Sequence, residues 1–150
     1  MVKIQDISTV KLLELMEVIV PNKNHENHLM YLLQDIYFDN IDTAKADEAS
    51  EAMHNDVRWV HNQVWEHDAH KSNIRDALNG QKEVREFLRK RIVEMQIEGI
   101  IHKVENVVSD GKLGAFKANV IGKDKSKKPF FGLVEIKDDK IIYYRVLPLE

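Results

Sequence analysis

Three histidines, two tryptophans and two carboxylates fall within fourteen residues of this chain, VRWVHNQVWEHDAH at 57–70. Imidazoles and carboxylates at that density are the donor set of a metal site or a proton-transfer centre. Spacing separates the two. VRWVH alternates, so a strand puts Val57, Trp59 and His61 on one face and Arg58, Val60 and Asn62 on the other. Trp59 beside Val57 marks the inward face. Were that strand to run on, His61 and His67 would lie about 20 Å apart, too far for one ion. A turn near Gln63 would bring them closer, and a helical 65–70 would pair His67 with His70. There is no HExxH or comparable spacing and no cysteine, so no metal site and no cofactor is assigned. WEHDAH reads as an irregular connection at a rim, with solvated histidines and Trp65 placed against a ligand. His61 keeps a claim to proton transfer, since an imidazole titrates near neutrality. Against that stands the plainer reading of a rim residue with a structural hydrogen bond.

A second candidate is His102. IIHKVENVV places Ile100, His102, Val104, Asn106 and Val108 on one strand face, where Asn106 would offer a polar contact to a ligand. A histidine on an apolar face also has a plain reading, as a core residue with its hydrogen bonds satisfied. Tyr37 continues a helical apolar stripe and reads first as core. Tyr143 and Tyr144 face opposite sides of a strand. One of them lines the pocket or a dimer surface, and Tyr143 is assigned to the ligand.

These residues need a scaffold. The chain has 150 residues, 43% of them apolar, enough for one domain with a real core. A net charge of −3, with lysine and arginine scattered, argues against nucleic acid as the main partner. Lys11, Glu14 and Glu17 interrupt the N-terminal apolar residues, so that stretch reads as neither signal peptide nor membrane span. A soluble, cytoplasmic protein is expected. A first helix is predicted over Ser8 to Ile19, capped by Ser8 and stopped by Pro21. A second follows Asn24, with Leu29, Leu32, Leu33, Ile36 and Tyr37 as its stripe. A third, short helix covers about Thr43 to Met53. A fourth opens at Asn79-Gly80, buries Val84, Phe87, Leu88, Ile92 and Met95, and stops at Gly99.

Beyond Gly99 the period falls to two. Asp110-Gly111 predicts a tight hairpin with positive φ at both turn positions. KLGAFKANVIG, FFGLVEIK and KIIYYRVL complete an antiparallel meander, with Pro129 at a strand start and a turn at Asp138-Asp139. DVRWVH is a separate strand before the fourth helix. Helices first and strands later make an α+β domain.

The order of NDVRWVH, NGQKEVREFL, IIHKVENVVSDGK and FFGLVEIKDDKIIYYRV resembles the nuclear transport factor 2-like superfamily, in its SnoaL-like and ketosteroid-isomerase-like branch, from about His25 to Leu147. The resemblance implies a single cone-shaped SnoaL-like domain over 1–150, with N-terminal helices packed on a strongly bent, mainly antiparallel sheet. Residues 1–22 would be an extra N-terminal helix. It also implies a mostly apolar pocket for a small hydrophobic organic molecule, a homodimer through the outer sheet face, and no nucleic acid or membrane partner.

In such proteins His61 would stand at the general-base position, usually a carboxylate. Tyr37 would stand near an oxyanion donor, and His102 would match a strand histidine of dehydratase-like members. Gly132 falls where isomerases carry a protonated acid, and the second dehydratase histidine is missing from AFKANVIGKD. Catalysis, if present, would be metal-independent acid–base chemistry by His61, His102 and Tyr37, with Trp59 shaping the wall. A non-catalytic binding or dimerisation module on the same cone is the alternative.

Overall fold

The chain turns from helix to strand at Met53, and the helices pack on the hollow side of the sheet that follows. The structure is a computed structural model that describes residues 19–65 and 75–149. The expected first helix lies outside these residues apart from Ile19. So do Glu66, His67, Asp68 and His70.

Helix α1 (Lys23–Met30) starts where Asn22 accepts from the backbone N–H groups of Asn24 (3.0 Å) and His25 (3.2 Å), satisfying donors that a helix start leaves open. It runs into a π-wound segment, Tyr31–Phe38, and then α2 (Asp39–Asp42). The Asp39 N–H reaches back five residues to the Gln34 carbonyl. Leu29, Leu32, Leu33 and Tyr37 are buried as the stripe predicts, Ile36 is half-buried, and Phe38 joins the buried set. The expected third helix is shorter, α3 (Ala46–Ser50), because Met53 already belongs to strand β1 (Met53–Asn62).

Strand β2 (Arg75–Asn79) is a correction to the sequence reading, which had an irregular connection run straight into the long helix. It pairs antiparallel with β1. Helix α4 (Gln81–Glu98) then begins at Gly80 and ends at Gly99, whose φ of 67° is the left-handed stop. Val84, Leu88 and Ile92 are buried on its inner face, with Phe87 and Met95 packed against the same core.

The remaining strands are β3 (Ile101–Ser109), β4 (Leu113–Ile121), β5 (Lys127–Lys137) and β6 (Lys140–Pro148). The sheet order is β2-β1-β6-β5-β4-β3, antiparallel except for β1 with β6. Register shifts fall between Met53 and Arg58, between Val104 and Asn106, and between Glu135 and Ile136. Such shifts bend strands and add twist, which suits a sheet that must curl around its helices. The hairpin at Asp110 differs from expectation. Gly111 alone has positive φ (93°), because the Asp110 carboxylate accepts from the N–H groups of Lys112 (2.9 Å) and Leu113 (2.8 Å) and closes a wider loop. The turn with two positive φ values is Asp138-Asp139, at 53° and 61°.

The side chains divide between two faces. The large core fills the concave face, and a small cluster of Ile19, Ala115, Leu133 and Tyr143 lies apart from it. Glu135 stands opposite Tyr143 in the β5–β6 register, and partial burial raises its carboxyl above the ordinary range. On the concave face a Cβ at Gly132 would sit 2.0 Å from the Phe116 ring. Gly132→Ala is therefore expected to cost about 1–3 kcal/mol by overpacking, read as a lower urea midpoint. An unchanged midpoint would mean that Phe116 is free to move aside.

Candidate functional site

The end of β1, the π-wound segment and the last turns of α4 enclose a cavity of about 60 Å³. Among the described residues, the aromatic rings of Tyr37, Phe38, Trp59, Trp65, Phe87, Phe130 and Tyr144 line it. The polar lining comes from His61, Gln63, Arg91 and His102. That volume holds a few waters and is small beside the roughly 300–1,000 Å³ of pockets for drug-sized ligands. A polar cleft of about 330 Å³, lined by Glu51, His54, Asp138 and Lys140 among others, lies at the other end of α4. The smaller cavity is the better candidate, because it gathers Tyr37, His61 and His102 against apolar walls.

Its floor is a tie between helix and sheet. Trp59 Nε1 donates to the Tyr37 hydroxyl oxygen at 3.1 Å, and both side chains are buried. The Tyr144 hydroxyl donates to the same oxygen, and the Tyr144 ring stacks on Trp59 with centroids 5.8 Å apart. Burial pushes the Tyr37 phenol well up, outweighing the two bonds that favour its anion, and burial raises Tyr144 too. Tyr37 is therefore a proton holder. With its oxygen accepting two hydrogen bonds, its own O–H is polarised for donation.

One wall carries His102. Its Nδ1 lies 2.6 Å from Asp42 Oδ1, and its backbone N–H donates to Asp42 Oδ2 at 2.8 Å. Both side chains are 11% exposed. The ring stacks on Phe38, with centroids 5.0 Å apart and planes 11° apart. Asp42 thus fixes the imidazole through Nδ1, which leaves Nε2 as the nitrogen for chemistry. Asp42 escaped the sequence reading because sixty residues separate it from its partner and no local pattern joins them.

The facing wall carries His61. It stacks on Trp59, with centroids 5.3 Å apart and planes 10° apart. Beyond it Arg91 is buried, with Nη2 donating to Gln63 Oε1 at 3.2 Å and Nη1 3.1 Å from Glu94. Burial lowers the Arg91 guanidinium, and the charges of Glu94 and Asp76 oppose that shift. Trp65 closes the mouth. Its ring packs on Gly122, where a Cβ would come within 2.6 Å, and Lys128 Nζ lies 5.1 Å from the ring centroid.

Of the residues singled out in the sequence, His61, His102, Tyr37, Trp59 and Trp65 line this one cavity. Two do not. Asn106 is exposed, because the register shift between Val104 and Asn106 flips the strand's parity and sends Val107 toward the core instead. Tyr143 packs with Ala115 and Leu133 in the separate cluster, and its neighbour Tyr144 takes the cavity. Among the described residues no group of three histidines, cysteines or carboxylates could hold a metal ion. None of their helices is long and apolar enough to cross a membrane.

This α+β cone with an open, strongly bent sheet is the nuclear transport factor 2-like fold, in the form shared by SnoaL-like and ketosteroid-isomerase-like proteins. Solved structures of the same fold include an LEH-like epoxide hydrolase from M. tuberculosis, 15% identical, with a TM-score of 0.58 over 83% of this chain and 84% of that one. A candidate SnoaL-like polyketide cyclase from Jannaschia sp. CCS1 is 16% identical, with a TM-score of 0.58 over 86% and 90%. A candidate ketosteroid isomerase from Kribbella flavida DSM 17836 is also 16% identical, with a TM-score of 0.57 over 83% and 80%. No protein-family model and no curated protein matches the chain.

Two measurements test the floor of the site. Tyr37→Phe leaves the Trp59 N–H buried without its acceptor, so a loss of about 1–3 kcal/mol is expected in urea unfolding; a neutral change would mean another acceptor takes the proton. In an absorbance titration, Tyr37 and Tyr144 should remain protonated above the ordinary phenol value of 10 until the protein unfolds. Because their folded values are raised, the stability they contribute is complete below that pH and is lost as pH climbs beyond it. Ionisation of all four tyrosines near pH 10 in folded protein would contradict this.

Proposed function

We propose that the cavity binds a small organic molecule bearing a carbonyl and moves a proton on it by metal-independent acid–base catalysis. The observation that carries this reading is the Asp42–His102 pair, 2.6 Å apart at a wall otherwise built of aromatic rings. An imidazole whose Nδ1 is fixed by a carboxylate presents Nε2 as an acceptor. A carbonyl oxygen set against Tyr37 would receive its hydroxyl proton as a hydrogen bond and share the negative charge that develops when a neighbouring C–H is broken. Tyr37 suits donation because it does not ionise. Trp59 and Phe38 supply flat apolar walls, and Trp65 screens the mouth from water.

Isomerase-, dehydratase- or cyclase-type reactions all begin with such a step. The names carried by structures of similar fold are compatible with it, and this chain's substrate is left to experiment. Homodimerisation is part of the same proposal. It would use the half-buried Leu113, Phe131 and Leu147 at the small cluster, since Ala115, Leu133 and Tyr143 are already covered. A monomer at micromolar concentration in sedimentation would remove it.

A second reading, a binding module without catalysis, is favoured by one observation. Where isomerases hold a protonated acid this chain has Gly132, and the Phe116 ring occupies the space. One experiment separates the two. Acetone in heavy water exchanges its α-protons slowly, and NMR follows the loss. The enzyme reading predicts faster exchange with the protein and a fall of roughly 10²–10⁴-fold in that acceleration for His102→Ala. Binding shifts at His102 without any acceleration would establish the module. Neither binding nor exchange would end both readings.

A further inference from the structure

β1 ends at Asn62, and a little further on the Trp65 ring reaches the far side of the cavity mouth. Its seat is Gly122, the buried residue that follows β4. In the sheet order β6 and β5 separate β1 from β4, so the indole bridges two distant parts of the bent sheet. A Cβ at Gly122 would lie 2.6 Å from Trp65 Cη2 and 3.0 Å from Cζ2, so the ring sits there against bare backbone. That backbone is well tied. The Gly122 N–H donates to the Ser126 carbonyl at 2.9 Å, the Lys125 N–H donates to the Gly122 carbonyl at 3.0 Å, and Asp124 Oδ1 accepts from the Ser126 N–H at 3.0 Å. The root of the indole is held as well: Gln63 Nε2 donates to the Trp65 carbonyl, and Gln63 Oε1 accepts from Arg91. The ring is tied less firmly. It is half-buried, and the exposed Lys128 places Nζ 5.1 Å from its centroid, a contact of modest strength in water. Rotation about its own side-chain bonds is the motion this leaves to Trp65.

We propose that Trp65, seated on Gly122, gates the cavity by size, and that Gly122 is the specificity-determining residue. This rests on the acid–base reading above and names its substrate class: aldehydes and ketones of a few heavy atoms. With the indole seated the enclosed volume is about 60 Å³, far below the roughly 300–1,000 Å³ of pockets for drug-sized ligands. A small carbonyl compound fits beneath the seated ring, which then keeps water from Tyr37 and His102. A larger one holds the ring off its seat and forfeits the contact with Gly122. In a walled site one methylene too many or too few changes selection by roughly 10–200-fold. The glycine is open to a clean test, because it does not lie in the left-handed region and alanine adds no backbone strain. Its new methyl group would meet the tip of the Trp65 ring and, at 3.1 Å, Asp124 Oδ1. The half-buried indole is the group that must give way.

The test compares wild type with Gly122→Ala and Trp65→Ala in two arms. The first uses no ligand and follows hydrogen exchange of the Trp59 indole N–H by NMR. That donor sits on the cavity floor, bonded to Tyr37, and Trp65→Ala assigns its signal by leaving a single tryptophan. Both variants should speed its exchange roughly tenfold or more, while the backbone amides of β5 and β6 exchange as in wild type. Unchanged exchange at Trp59, or strand amides that speed up with it, overturns the gate. The second arm titrates acetone and the bulkier cyclohexanone against the His102 ring signals. The ratio of the cyclohexanone Kd to the acetone Kd should fall roughly tenfold or more in Gly122→Ala. Both ketones binding with an unchanged ratio overturns the specificity assignment. If neither ketone binds any of the three proteins, the carbonyl-ligand reading falls, and the gate stands or falls by the exchange arm. Should Gly122→Ala fail to fold, Trp65→Ala carries both arms with the same expected outcomes.

Discussion

The hydrogen bond from Trp59 Nε1 to the Tyr37 oxygen fastens the helical layer to the sheet at the floor of the cavity. Both groups are buried, so neither has water to turn to, and leaving either unmade is costly. The tie sets the depth of the π-wound segment. That in turn presents Phe38 to His102, and the helix then ends at Asp42, where its carboxylate meets His102 from outside the cavity. Tyr144 joins from β6 by stacking on Trp59 and bonding Tyr37. A π-wound segment is a less favourable winding than an α-helix and is found mainly at functional sites. Here it lets Tyr37 and Phe38, adjacent in sequence, both line the cavity.

Much of the architecture is legible in the sequence because it rests on local rules. The stripe from Leu29 to Tyr37, the left-handed stop at Gly99 and the alternation of VRWVH each follow from one period or one glycine. What is not legible depends on two distant segments at once. RDALN, as β2, is short, polar and an edge strand, so its alternation is faint. The register shift beside Glu105 has no signature of its own, yet it reverses which residues face inward, removing Asn106 and supplying Val107. Choosing between Tyr143 and Tyr144 needs the register of β6 against β5, which no reading of β6 alone contains. The carboxylate of Asp42 is that of an ordinary surface-type residue until the fold sets His102 beside it.

The electrostatics of the cavity fit proton exchange better than tight binding of a charged ligand. Among the described residues of the lining, Arg91 is the one permanently charged, with Gln63 accepting from it, Glu94 3.1 Å away and Asp76 within its electrostatic reach. Asp42 faces His102. Among the described residues a neutral ligand meets rings, two imidazoles and one polarised phenol. The departures from the isomerase pattern agree with this: with Gly132 against Phe116, no acid comes from that position and Tyr37 is the phenol set to face an oxyanion. The small volume limits a ligand to a few heavy atoms unless Trp65 moves away from Gly122.

The central claim is that His61, His102 and Tyr37 serve one ligand site. The most direct measurement is isotope-filtered NMR of labelled acetone bound to the protein. The account predicts nuclear Overhauser effects from the acetone methyl groups to the rings of His61, His102 and Phe38 together. Effects confined to the cleft around Met53 and His54, or to only one of the two cavity histidines, would contradict it.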